Sequence, residues 1–187
     1  MKKIPSKCYK ENDYGVIEID SPKYGLFKFL IDEEDMEQCS KINWCILRNT
    51  NVDDWREYFY ATSNKSAKTN NRTLLLHRFI MGLPDRKTDP RVVDHEDFNT
   101  LDNRKQNLRV CTMIENGRNR RNRVDNQSGH NGVFLMKYPT GRERWRAFLK
   151  VDQKYVNVGE YMTYDEAVDA RQVAEKRLFG EFQPSPI

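Results

Sequence analysis

Arg91-Val92-Val93-Asp94-His95, then Leu108-Arg109-Val110-Cys111-Thr112-Met113-Ile114-Glu115-Asn116, is the stretch that decides how the middle of this chain folds. Each half carries a short, β-branched apolar run, which suits a strand. The turn Glu96-Asp97-Phe98-Asn99 and the Asn-rich segment Leu101–Asn107 lie between them. Thr112-x-x-Glu115 is a capping box, so a helix starts there, with Asn116 in its first turn or just beyond. A helix packed across this hairpin would bring Asp94, His95 and Asn116 together.

That set suits phosphodiester hydrolysis. A neutral imidazole is a competent base near neutral pH. A hard divalent cation held by a carboxylate and an amide oxygen stabilises the phosphorane and the leaving oxygen. His95 is therefore the expected base, and Asp94 and Asn116 the expected metal ligands. Neighbouring strand residues point to opposite sides, so Asp94 and His95 can serve metal and water separately only if the strand bends or ends there. Asn107 is expected to brace the loop through side-chain-to-backbone hydrogen bonds and so fix the imidazole.

Upstream, residues 1–76 read as β-rich with one helix. Tyr14–Ile19, Tyr24–Ile31, Tyr58–Thr62 and Arg72–Leu76 are expected strands, the last two flanking a polar loop, Ser63–Asn71. Asp32-Glu33-Glu34-Asp35 opens the helix, followed by Met36, Cys39 and Ile42 at helical spacing. Downstream, Val133–Lys137, Arg144–Val151 and Lys154–Tyr161 read as an antiparallel sheet. Thr163 and Glu166 then cap a helix with Ala167, Ala170, Ala174 and Leu178 as its apolar stripe. Gly180 stops that helix. The open sheet face is expected to present Arg142, Arg144 and Arg146, with Lys137 and Lys154 on the flanking strands, in the manner of a basic β-ribbon entering a DNA groove.

Charge sharpens the picture. The 187 residues carry 32 Lys+Arg against 28 Asp+Glu, a net +4 that names no partner. Residues 77–127 hold most of the excess, and Arg118-Asn119-Arg120-Arg121-Asn122-Arg123 places four arginines and no acid in six positions. Arg118, Arg120, Arg121 and Arg123 form a footprint for phosphates. The apolar fraction of 37% is too dilute for one large core, while 21 aromatics argue against disorder. No apolar run approaches the roughly 18 residues that a spanning helix needs, so no membrane association is expected. Met1-Lys2-Lys3 is followed by no apolar segment, so the expected location is cytoplasmic. Cys8, Cys39, Cys45 and Cys111 form no C-x2-C pair and are expected to be reduced thiols.

Val93-Asp94-His95, Asn103-Arg104, Asn107-Leu108-Arg109, Glu115-Asn116 and Arg118-Asn119 together closely resemble the HNH nucleases, in the homing-endonuclease branch found in phages and introns; Leu76-His77-Arg78 resembles that family's Leu-His-Arg helix start. The resemblance implies a ββα-metal site with one divalent ion, Mg2+ or Mn2+, bound by Asp94 and Asn116. It also implies that His95 activates water and Asn107 holds the loop. Two departures stand out: Arg118 where some members place Lys, and Asp97-Phe98-Asn99 in place of the frequent Asp-Gly-Asn turn. Residues 128–182 resemble the AP2 DNA-binding domain through Ser128-Gly129, Gly132-Val133, Trp145-Arg146-Ala147, Val158-Gly159-Glu160-Tyr161, Glu166-Ala167 and Phe179-Gly180-Glu181-Phe182. That domain reads DNA with its sheet.

The expected fold class is α+β: an N-terminal β-rich region (1–76), a central ββα-metal module with a basic linker (77–123) and a C-terminal three-stranded antiparallel sheet packed on one helix (124–187). The expected function is metal-dependent cutting of double-stranded DNA, one nick per active site, with no protein partner implied. The alternative is a non-catalytic AP2-type DNA-binding regulator, which would have no need of the Asp94, His95, Asn107 and Asn116 set.

Overall fold

A computed structural model of the chain describes residues 5–50, 57–63, 73–83, 88–118, 128–151 and 154–180. It is mixed α+β, with antiparallel strand pairing throughout its sheets and four α-helices among the described residues. Two compact units divide at Asn116/Gly117. Among the described residues no helix is long and apolar enough to cross a membrane.

The first unit begins with strands β1 (Lys7–Glu11), β2 (Tyr14–Ser21) and β3 (Gly25–Asp32), paired in that order. Alternation sends Ile17 and Ile19 of β2 and Phe29 and Ile31 of β3 inward. A 3-10 turn, Glu33–Asp35, leads into α1 (Met36–Ser40), which buries Cys39. This helix ends before Ile42, yet Ile42 is still buried in the turn that follows. The hairpin β4 (Trp44–Thr50) and β5 (Glu57–Ser63) comes next. Trp44 is buried and donates its indole N–H to the Cys39 carbonyl (2.9 Å), so the largest core side chain leaves no polar atom unmet.

Among the described residues 73–76, the strand expected over Arg72–Leu76 does not form. Leu76 instead opens α2 (Leu76–Ile80), and the sheet contact reduces to an isolated bridge between Thr62 and Leu75. Leu76 and Ile80, one helical turn apart, both enter the core. β6 (Val92–His95) and β7 (Leu108–Cys111) then pair with Val93 opposite Val110 and Asp94 opposite Arg109. α3 (Met113–Asn116) follows and lies against β6. One core cluster joins Ile17, Phe29, Trp44, Ala61, Leu76, Val93 and Leu108. The division expected at residues 76/77 therefore falls inside a shared core, and residues 1–116 form a single unit.

The second unit is a sheet in the order β10 (Lys154–Tyr161), β9 (Glu143–Val151), β8 (Val133–Lys137), with α4 (Tyr164–Phe179) on one face. The capping box at α4 forms as expected: Thr163 Oγ1 accepts from the Glu166 N–H (3.3 Å), and the Glu166 carboxylate accepts from the Thr163 N–H (3.1 Å). The buried stripe differs from the alanine stripe read in the sequence. Ala167, Arg171, Glu175 and Phe179 face the sheet at four-residue spacing, Ala170 and Ala174 are half-buried, and Leu178 is exposed. Arg171 and Glu175 are tolerated there because they pair (2.9 Å) and because Arg171 donates to the Asn131 and Phe148 carbonyls. Gly132 makes room for that guanidinium. Its φ is +70°, and a Cβ there would lie 2.5 Å from the Phe148 oxygen and 2.8 Å from Arg171 Nε.

Candidate functional site

β6 is only four residues long and terminates at His95. The chain turns immediately, with Phe98 N–H donating to the His95 carbonyl (3.1 Å). This is the strand end that separate roles for adjacent Asp94 and His95 require. Phe98 takes φ +65°, a left-handed conformation that costs a non-glycine residue about 1–2 kcal/mol.

His95 is buried, at 6% exposure, in a ring cluster with His77 and Tyr60. The centroids of His77 and His95 are 5.2 Å apart at 74°, an edge-to-face contact, and Tyr60 lies 5.7 Å from His77. Burial pushes the His95 pKa below the ordinary imidazole value, against the opposing effects of the Asn103 hydrogen bond and the Asp94, Asp97 and Asp102 carboxylates. That shift favours the neutral imidazole, the form a general base needs.

Asn107 braces the loop. Its Oδ1 accepts from the Asp97 N–H (3.1 Å), and its Nδ2 donates to the Asp102 carbonyl (2.9 Å) and the Asn99 carbonyl (3.4 Å). Its backbone carbonyl takes the Glu96 N–H (2.9 Å). One side chain thereby ties both ends of the 96–107 excursion together. Asn107 sits at the end of a 3-10 turn (Lys105–Asn107) that feeds directly into β7.

Asn116 ends α3. The capping box expected at Thr112 and Glu115 is present in both directions, at 2.8 and 3.2 Å. Its helix lies against β6, the strand that carries Asp94. A carboxylate and a side-chain amide are hard oxygen donors suited to Mg2+ or Mn2+. Among the described residues no three His, Cys, Asp or Glu side chains gather as a metal site. An ion held by Asp94 and Asn116 would therefore complete its shell with water and phosphate oxygens, the usual habit of Mg2+.

Two neighbours of this set were not legible as such. Arg109, opposite Asp94 in the hairpin, donates to Asp94 Oδ2 through Nε (3.1 Å) and Nη2 (2.9 Å) and approaches Glu96 (3.6 Å). The Asp94–Arg109 register would have revealed it once the hairpin was drawn. Asn103, 1% exposed, lies 3.2 Å from His95 Nε2 through its Oδ1. Asn103 stood in the motif read from the sequence, but no role was assigned to it there.

The N-terminal strands supply the loop's support. Leu30 on β3 donates to the Leu101 carbonyl and accepts from the Asn103 N–H, both at 2.8 Å. Asp32 accepts from the Lys105 N–H (2.7 Å), and Thr100 donates to the Phe59 carbonyl (2.8 Å).

In the second unit the strand register corrects one expectation. Residues directly opposite in antiparallel strands share a face. Lys137 lies opposite Glu143 and Lys154 opposite Val151, both on the side of β9 that carries Trp145, Ala147 and Leu149 toward α4. Lys137 and Lys154 are thus at the margins of the helix-bearing face, not on the open one. The open face carries Arg144, Arg146, Phe148 and Lys150 from β9, with Phe134 and Met136 from β8 and Tyr155 and Asn157 from β10. Phe134, Phe148 and Tyr155 form a diagonal aromatic row at centroid spacings of 5.5 and 5.3 Å. Arg142 belongs to the turn before β9, over the Tyr138 ring. Arg146 is paired with Glu160. Of the basic linker, Arg118 stacks 4.7 Å over Phe179 within the same unit, and Arg120, Arg121 and Arg123 lie outside the described residues.

Comparison with known proteins returns no match to a family model, a curated protein or a solved structure.

Proposed function

We propose that this chain is a metal-dependent DNA endonuclease of the HNH homing type, which nicks one strand of double-stranded DNA per active site, with a C-terminal AP2-like sheet for docking. The observation that carries the reading is the buried His95 at the end of β6. It sits beside Asp94, with Asn107 bracing its loop and Asn116 on the adjoining helix. A binding module needs none of this.

In this mechanism His95 removes a proton from the attacking water. Asp94 and Asn116 supply the oxygen donors for the divalent ion, whose contribution when bound is to offset charge on the phosphate and the leaving 3′-oxygen. Asn107 keeps the turn after His95 closed, so the base is held in position before substrate arrives. Arg144 and its neighbours on the open sheet face provide positive charge and flat aromatic surface for a DNA groove.

The test is plasmid nicking by the full chain and by His95→Ala, with Mg2+ or Mn2+ and with a chelator control. Metal-dependent nicking lost in His95→Ala while DNA binding persists supports the reading. A wild-type protein that binds DNA but never cuts with any divalent metal defeats it.

A further inference from the structure

We infer that the open face of the second unit's sheet selects thymine in duplex DNA, by seating C5-methyl groups of the major groove on the Phe134–Phe148–Tyr155 row. The inference rests on the DNA-docking part of the proposed function and names the base that docking would select. The three rings come from three different strands, β8, β9 and β10, on the face turned away from α4. Their centroids are spaced 5.5 and 5.3 Å apart, at interplanar angles of 67° and 62°. Phe148 thus meets both neighbours edge to face, and the row presents ring edges as well as faces. Tyr155 is 71% exposed, and Phe134 and Phe148 are only half-buried. The apolar core of the unit, Val133, Ala147 and Ala167, lies on the other side of the sheet. The row therefore leaves aromatic surface in solvent on a face that the helix does not cover.

The charge around the row suits a polyanion. Arg144, Arg146 and Lys150 of β9 share this face with one acid among the described residues, Glu160, which is already paired with Arg146 and accepts from the Tyr138 hydroxyl (2.8 Å). Lys150 Nζ lies 5.8 Å from the Tyr155 centroid, so a cation borders the exposed end of the row. Cations flanking a ribbon of strands suit the phosphates on either side of a major groove about 12 Å wide. Between the phosphates the groove offers base edges. A phenyl ring has neither donor nor acceptor with which to tell G, C or A by their hydrogen bonds. The one apolar group on those edges is the thymine C5-methyl, which rests equally well on a ring face or against a ring edge, and Phe is among the side chains that contact it. Asn157, exposed and directly opposite Phe148 on the same face, carries the amide that suits the N6/N7 edge of adenine. Ring and amide side by side match the two halves of one A·T pair.

The experiment measures the affinity of the full chain, in chelator so that no strand is cut, for an alternating A·T duplex and for the same duplex with uracil in place of every thymine. The two differ only in the C5-methyl and offer identical hydrogen bonds. Wild-type protein should bind the thymine duplex about four- to tenfold more tightly, at about fourfold for each methyl buried. Phe148→Ala and Tyr155→Ala should bring that ratio toward one while still binding the uracil duplex. Equal wild-type affinities overturn the inference, and so does a ratio that survives in both variants, which places the methyl contact elsewhere. Should Phe148→Ala fail to fold, Tyr155→Ala decides the matter, because its ring is mostly in solvent: an unchanged ratio there overturns the inference. Tighter binding to single-stranded oligo(dT) than to the A·T duplex also overturns it, by giving the row to unpaired bases. A protein that binds neither duplex defeats the docking reading itself, whereas equal affinity for both defeats only the choice of thymine.

Discussion

Arg109 and Asp94 face each other across the β6–β7 hairpin, and Arg109 Nε and Nη2 both donate to one oxygen, Asp94 Oδ2. Both side chains are largely buried, at 13% and 11% exposure. A carboxylate expected to bind a cation thus has a guanidinium beside it. Removing one partner of a buried pair costs about 3 kcal/mol. Arg109→Ala should therefore unfold at lower denaturant concentration in chelator. Part of that loss should return on adding Mn2+, because the ion replaces the missing positive charge. Denaturant melts of wild type and variant with and without metal check this. Equal destabilisation in both conditions would separate Asp94 from any metal role.

The strand register sorts the basic residues of the second unit. Arg144→Ala should lower discrimination between DNA sequences by about 1–3 kcal/mol if it reads a base edge. Lys137→Ala and Lys154→Ala, on the opposite face, should change it little. Glu160→Gln releases Arg146 from its pair and should steepen the salt dependence of binding by about one. Binding isotherms at several salt concentrations read all four. Losses for Lys137→Ala or Lys154→Ala as large as for Arg144→Ala would move the docking surface elsewhere.

Acid should loosen the approach to β6. The Arg91 side chain and backbone N–H bond to Asp89 and hold its carboxyl down to about 2, from an ordinary 3.8. A depressed carboxyl stabilises the fold above its ordinary value. That contribution is lost as pH falls from about 4 toward 2. Asp89→Asn should accordingly flatten the acid-unfolding curve in this window and leave its neutral limb parallel to wild type. An unchanged acid slope would show that the pair does not persist in solution.

The four cysteines are free thiols, as expected, and all lie in the first unit. Burial pushes the Cys39 thiol up to about 12 and the Cys111 thiol up to about 11. At pH 8 neither should be alkylated at an appreciable rate until the unit unfolds, since the thiolate is the reacting form. Mass spectrometry after pulsed alkylation would then follow that unit alone through a denaturant series. Cys111 reacting in native buffer as fast as in denaturant would contradict its burial.

The strands of the hairpin and the C-terminal sheet were legible because alternation and caps are local. Leu108–Cys111, Val133–Lys137 and Lys154–Tyr161 match their strands end to end, and Thr112 and Thr163 cap as their spacing requires. The strand read over Arg72–Leu76 overran the helix start that Leu76-His77-Arg78 also suggested, because a Leu-Leu-Leu run fits a buried strand or a helix start equally well; α2 begins at Leu76 and packs Phe79 against Trp44. The faces of Lys137 and Lys154 were hidden because sequence fixes parity within a strand but not the register between strands. Asn103 and Arg109 escaped for a related reason: each acts through a partner that only the closed hairpin places beside it. The β1 and β4 strands were missed because Lys, Glu and Arg interrupt their apolar alternation.

The two backbone bonds from Leu30 to Leu101 and Asn103 carry a practical consequence. Residues 76–116 contain every side chain assigned to chemistry, yet they are not a portable cassette. A fragment cut at Leu76 would keep His95 and lose β3, the strand against which the loop behind His95 is hung. Grafting this site onto another scaffold would require carrying the N-terminal sheet with it, or designing a strand edge that offers the same donor and acceptor to residues 101 and 103.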